Sequence, residues 1–225
     1  MAWRILLLGT PRVEHNRAMV PIERRKALGL LAYLVVQREM ISRETLAALF
    51  WPDADKALAY LRTTLWTLNN VLPADWVLTE GGALAFNPDA AIATDYADFH
   101  RLIKDGSVQA LKDAAALYRD DFLAGFTLPD APDFDEWRYI QSETLRRGLN
   151  GALERLIDAH SGDEAVHYAR RWLSLDTLNE AAHRRLMTLY AQEGNIQAAV
   201  RQFHEAERLM RDELGVSLEA ETLTL

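Results

Sequence analysis

The sequence contains no cysteine. That excludes disulfide scaffolds, thiolate zinc sites, iron–sulfur clusters and cysteine nucleophiles. Long apolar runs are missing as well. The one at the N-terminus, Ile5–Leu8, stops at Gly9, far short of the roughly 7–15 residues of a signal-peptide core or the ~18 of a membrane span. A cytoplasmic chain with no membrane partner is therefore expected. Positive charge is not in excess: 25 Lys and Arg stand against 33 Asp and Glu, a formal net charge of -8. A uniformly basic nucleic-acid coat is excluded, although local patches are not.

Catalytic signatures are equally scarce. The histidines (His15, His100, His160, His167, His183, His204) form no HExxH and no helical pairing with carboxylates of the kind that binds metal. Leu8-Gly9-Thr10-Pro11 lacks the spacing of a phosphate loop, and no GxSxG occurs. Asp120-Asp121 and Asp133–Glu136 read as loop and cap charges, and His167 and His183-Arg184-Arg185 as helix-surface residues. No catalytic residue, metal site or cofactor is expected, and the chain is not expected to be an enzyme.

What is present is an ordinary globular balance, 49% apolar and 26% charged over 225 residues, enough for one or two domains. The charge is divided unevenly. Residues 1–95 hold ten basic and ten acidic residues, leaving 15 basic and 23 acidic in the remainder. Two domains with different partners are expected, over 1–95 and 96–225.

Trp3–Thr10, Arg12–Asn16 and Ala18–Ile22 read as short strands. From Glu23 to about Gln37, Ala27, Leu30, Leu31, Leu34 and Val35 recur at helical spacing. Ser42 is a good N-cap for a short helix carrying Leu46, Leu49 and Phe50, which Trp51-Pro52-Asp53 ends. A third helix, about Asp55–Leu72, buries Leu58, Leu61, Leu65, Leu68 and Leu72 in steps of three and four. Lys56, Tyr60, Thr63, Trp66, Thr67 and Asn70 fall on its opposite face, with Arg62 on the flank. Trp76–Glu80, Gly81-Gly82 and Leu84–Asn87 form a hairpin with a glycine turn, and one extended piece runs on to about Asp95.

Strands, three helices and a hairpin are the order of a winged helix-turn-helix, whose third helix enters the DNA major groove. The outward residues of 55–72 then offer hydroxyls, amides and two cations to phosphates and base edges. Arg24, Arg25, Lys26 or Arg43 would add charge. The alternative is a surface helix packed on a second domain through Trp66 and Tyr60, with those cations merely solvated. Both readings fit the residues.

After Asp95 the pattern is helical, through about 96–104, 108–120, 134–160, 163–175, 179–193 and 195–213, with Gly, Pro and Asp punctuation between. Ala165 and Ala199, Ala169 and Phe203, Trp172 and Ala206, and Leu156 and Tyr190 repeat at 34 residues, the period of tetratricopeptide helix pairs. The expected fold is thus an α+β N-terminal winged helix-turn-helix domain followed by an all-α tetratricopeptide-like domain.

Several stretches together resemble the bacterial transcriptional activator family found in streptomycete antibiotic regulatory proteins. They are Ile5-Leu-Leu-Leu-Gly9, Arg25-Lys-Ala-Leu-Gly-Leu-Leu-Ala-Tyr-Leu34, Ile41-Ser-Arg-Glu-Thr-Leu46 and Leu49-Phe-Trp-Pro-Asp53. Leu61-Arg-Thr-Thr-Leu-Trp-Thr-Leu68, Thr94-Asp95 with Phe99, Phe122-Leu-Ala-Gly-Phe126, Glu136-Trp137 and Glu213-Leu-Gly-Val216 continue the match in order. The resemblance implies an OmpR-like winged helix joined to a tetratricopeptide-type activator domain, acting as a DNA-binding transcriptional regulator. It casts 55–72 as the recognition helix, 76–87 as the wing, and Trp51–Asp55 as the segment that touches RNA polymerase. On the 55–72 helix, the DNA-binding residues expected from its outward face are Lys56, Tyr60, Arg62, Thr63, Thr67 and Asn70, with Arg43 as added charge. The partners that the resemblance implies are double-stranded DNA and RNA polymerase, with room for a homodimer. Because the chain stops inside the family's closing segment, a longer regulator with ATPase or further repeat domains is expected. One departure stands out: Leu68-Asn69-Asn70 replaces the frequent Leu-Arg-Arg. The alternative it opens is a protein-interaction or scaffold module whose winged helix has lost strong DNA binding.

Overall fold

A computed structural model describes residues 2–225. The chain forms two compact units, Met1–Arg101 with Leu117–Arg146, and Leu102–Ala116 with Arg147–Leu225. The change from strands to helices falls at residue 95, where the sequence places it, but the compact units divide elsewhere. The reason is backbone pairing: Gly9 N–H donates to Asp121, Leu123 N–H to Leu7, and Ala124 N–H to Gly9. Residues 117–146 therefore pack with the strands.

In the first unit, β1 (Trp3–Leu6), β2 (Arg12–His15) and β3 (Ala18–Val20) form an antiparallel meander. After it come α1 (Arg25–Gln37), β4 (Ile41–Ser42), α2 (Arg43–Phe50), α3 (Ala57–Asn69), β5 (Val77–Glu80), β6 (Ala83–Phe86) and β7 (Ile92–Thr94). β7 returns to lie parallel to β1, giving the order β3-β2-β1-β7, while β4 joins the hairpin in a second sheet ordered β4-β6-β5. The expected Trp3–Thr10 strand is shorter than its apolar run. β1 ends at Leu6 because Leu7–Gly9 turns its backbone to residues 121–124. Asp95 closes this corner. Its carboxylate accepts from Leu7 N–H at 2.7 Å and Leu8 N–H at 3.0 Å, and pairs with Arg119 at 2.9 Å.

α1 buries Ala27, Leu30, Leu31, Leu34 and Val35, the face its spacing predicts. Gly29 lets it approach closely: a Cβ there would stand 3.1 Å from Leu128, 3.3 Å from Phe50 and 3.4 Å from Phe134. Around this contact Tyr33, Phe50, Phe122, Phe134 and Trp137 meet ring to ring, Tyr33 and Trp137 at 4.7 Å and Phe50 and Phe134 at 5.2 Å. Offset and edge packing of this kind adds to the area these rings bury.

α4 (Asp95–Asp105), α5 (Val108–Leu117) and α6 (Pro132–Asp158) follow the expected helical stretches. The second unit continues with α7 (Gly162–Leu175), α8 (Glu180–Gln192) and α9 (Ile196–Leu209), a π-helical turn at Met210–Leu214, and α10 (Ala220–Leu223). α7 and α9 begin 34 residues apart, as the ends of α6 and α8 fall 34 apart, so the sequence period is a repeat of helix pairs. Ala165, Ala169, Ala182 and Ala206 are fully buried, where small side chains let helices close up. Asn179 and Asn195 cap α8 and α9, each accepting from the N–H three residues on.

His183 corrects the surface reading. It is buried, with Nε2 3.0 Å from the Thr177 carbonyl and Nδ1 2.6 Å from Gln202. Those two bonds remove the need for water that would keep a histidine outside. Arg184 is tied down too, with Glu219 at 2.7 Å and the Thr222 hydroxyl at 3.0 Å.

Candidate nucleic-acid interface

The face expected to read DNA stands on α3. Leu61, Thr64, Leu65 and Leu68 turn inward, and Lys56, Tyr60, Arg62, Thr63, Trp66 and Asn70 are exposed, with Thr67 half-buried. Leu58, expected inside, is 51% exposed. The helix begins only at Ala57, so Leu58 lies in its first turn. Lys56 occupies the N-cap position, and Ser42 caps α2 by accepting from Thr45 N–H at 3.0 Å.

Exposure is not the same as availability. The Thr63 hydroxyl donates to the Ala59 carbonyl at 3.0 Å and the Thr67 hydroxyl to Thr63 at 3.1 Å. Each spends its proton on the helix backbone, a pattern common for mid-helix threonine, and must rotate to donate to a phosphate. Asn69 accepts from the Trp76 indole at 2.8 Å, so it has a structural role, while Asn70 is left to solvent.

The additional cations are unevenly placed. Arg43 is half-buried in the first turn of α2. Arg25 donates to the Thr127 carbonyl at 2.9 Å and lies over the Phe126 ring. Lys26 donates to the Phe50 carbonyl at 2.5 Å and pairs with Asp130 at 2.7 Å. These two are therefore engaged within the unit, which the sequence could not show because Phe126, Thr127 and Asp130 lie about a hundred residues away. Arg24 is exposed. In the hairpin, Gly81 and Gly82 take the positive φ angles of 55° and 85° that the turn requires. Glu80 is the only charged residue in 77–86.

Among the described residues, no group of three or more His, Asp or Glu is placed to hold a metal, and no helix is long and apolar enough to cross a membrane.

Residues 97–225 match the family described as bacterial transcriptional activator domain. The chain belongs to that family. This is the family to which the sequence motifs pointed. No curated protein matches the chain. Among solved structures, Mycobacterium tuberculosis EmbR, determined in complex with a low-affinity phosphopeptide, is similar to it with a TM-score of 0.75 at 16% identity. The similarity covers 99% of this chain and 63% of EmbR, so the chain spans under two thirds of that protein's length. At that identity the likeness is one of fold: a small N-terminal β region with helices, then a helical part.

Proposed function

We propose that this member of the bacterial transcriptional activator domain family is a cytoplasmic transcriptional activator, not an enzyme, that binds promoter DNA. In this reading the first unit is a winged helix. α3 enters the major groove, the β5–β6 hairpin is the wing, and the tetratricopeptide-like helices and the Trp51–Asp55 loop meet RNA polymerase or other protein domains. The observation that carries it is the uncovered outward face of α3, with Lys56, Tyr60, Arg62 and Asn70 exposed on a helix whose last turn is bonded to the chain entering the hairpin. A neutral domain can still bind DNA when its cations face the backbone, since phosphate contacts supply much of the affinity.

A second reading, a protein-interaction module, draws on a specific observation. Trp66 is 65% exposed and Leu58 51% on the same helix, and the hairpin carries no cation. Selection of bound fragments from a genomic library, followed by gel shift at stated salt, separates the two. A recurrent preferred sequence supports the DNA reading. Folded protein that enriches none, even at low salt, contradicts it.

A further inference from the structure

Adjoining the outward face of α3, with which it shares Tyr60, the first unit holds an open recess of about 360 Å³. Three consecutive cations, Arg24, Arg25 and Lys26, line one side and the Trp51 and Tyr60 rings another, with Thr64 and the segment Thr127–Asp130 completing the wall. The volume lies within the range of small-molecule sites, about 300–1,000 Å³. It suits one or two fused rings.

Two features inside it point to a ligand. Thr64 is only 4% exposed, yet among the described residues its side chain has no hydrogen-bond partner. Its neighbours on α3 behave differently, since Thr63 and Thr67 both bond the carbonyl four residues back. Its hydroxyl keeps contact with solvent where it lines the recess, so it is free to donate to a ligand oxygen there. The second feature is charge. Three cations face a single carboxylate, Asp130, which is committed to Lys26 at 2.7 Å. Arg25 is held by Thr127, whereas Arg24 has no ion pair among the described residues. The lining thus carries a net positive charge with an arginine to spare.

We propose that this recess binds a planar aromatic carboxylate. Arg24 pairs with the carboxylate, the Thr64 hydroxyl donates to it, and the ligand's ring lies against Trp51 and Tyr60, whose centroids are 6.3 Å apart. An inorganic anion would make no use of the exposed Tyr60 ring, and a neutral aromatic would leave Arg24 without an anionic partner. The inference stands whether or not α3 binds DNA. Because Tyr60 belongs both to the recess and to the outward face of the helix, an occupant also touches the residues proposed to meet DNA.

The test is a calorimetric titration of the full chain with 2-naphthoate, using 2-naphthamide as its uncharged counterpart. Saturable one-to-one binding of the carboxylate and at least about tenfold weaker binding of the amide are expected. Arg24→Ala and Thr64→Val should each weaken the carboxylate by about threefold to thirtyfold. Asp130→Asn, which frees Lys26, should tighten it. Far-ultraviolet circular dichroism confirms that each variant is folded. No saturation by about 10 mM, equal binding of acid and amide, or affinity unchanged in both Arg24→Ala and Thr64→Val would each overturn the proposal.

Discussion

The Trp76 indole donates its N–H to the Asn69 side-chain oxygen at 2.8 Å, fastening the last turn of α3 to the chain entering the β5–β6 hairpin. Trp76 is completely buried, so its polar edge depends on that acceptor. Asn69 thus orients the hairpin on the helix. Asn69→Ala should lower stability by about 1 kcal/mol in urea unfolding, the net worth of such a bond. Asn70→Ala, on an exposed residue, should stay within about 0.5 kcal/mol of the parent. Equal effects from the two would remove the bond from the account.

Asp95 is the polar anchor of the first unit. Its side chain is fully buried, and it serves two backbone N–H groups and the Arg119 guanidinium. Asp95→Ala strands all three donors. Removing one partner of a buried pair costs about 3–5 kcal/mol, so a loss of that order is expected in chemical denaturation. A loss below about 1 kcal/mol would mean that water replaces the carboxylate.

His100 gives the first unit a pH dependence of known sign. Partial withdrawal from water, and then the charge of Arg38, hold its pKa below the ordinary 6.5. The folded state therefore prefers the neutral ring. This contribution is complete above about pH 6.5, and is lost as pH falls through the folded-state value. A proton-NMR titration of the imidazole should show the depressed pKa directly, and Arg38→Gln should raise it. An unmoved midpoint in that variant would remove Arg38 as a cause.

Arg184 holds the C-terminal segment of the second unit. It pairs with Glu219 at 2.7 Å and bonds Thr222, while Glu180 accepts from Glu219 N–H at 2.7 Å. Leu218 packs there with Ala206 and Met210. Arg184→Met keeps the side chain's length and removes its bonds to Glu219 and Thr222. Hydrogen exchange over 216–223 should speed up several-fold with α7 and α8 little changed. Unchanged protection would show that the Glu180 bonds and the packing of Leu218 hold the segment without Arg184.

Local signals were legible and distant ones were not. The Ser42 cap, the Gly81-Gly82 turn and the inward faces of α1 and α3 follow from spacing and backbone preference over a few residues. The 34-residue period marked the helix pairs of the second unit. Nothing local could show that Leu7–Gly9 pairs with residues 121–124, or that Lys26 meets Asp130. The same limit hid the burial of His183, since its two partners lie on either side of it in the chain. On α3 the spacing identified the outward residues, but not that Thr63 and Thr67 had already spent their hydroxyl protons.

The measurement that bears most directly on a DNA-reading α3 is fluorescence anisotropy of a selected genomic duplex over a range of salt. The expected result is tight binding whose logarithm falls linearly with log salt. Lys56→Ala with Arg62→Ala should weaken it at every salt and flatten the slope by about two, as the loss of two phosphate contacts requires. Parent and double variant binding with equal affinity and equal slope would contradict the account.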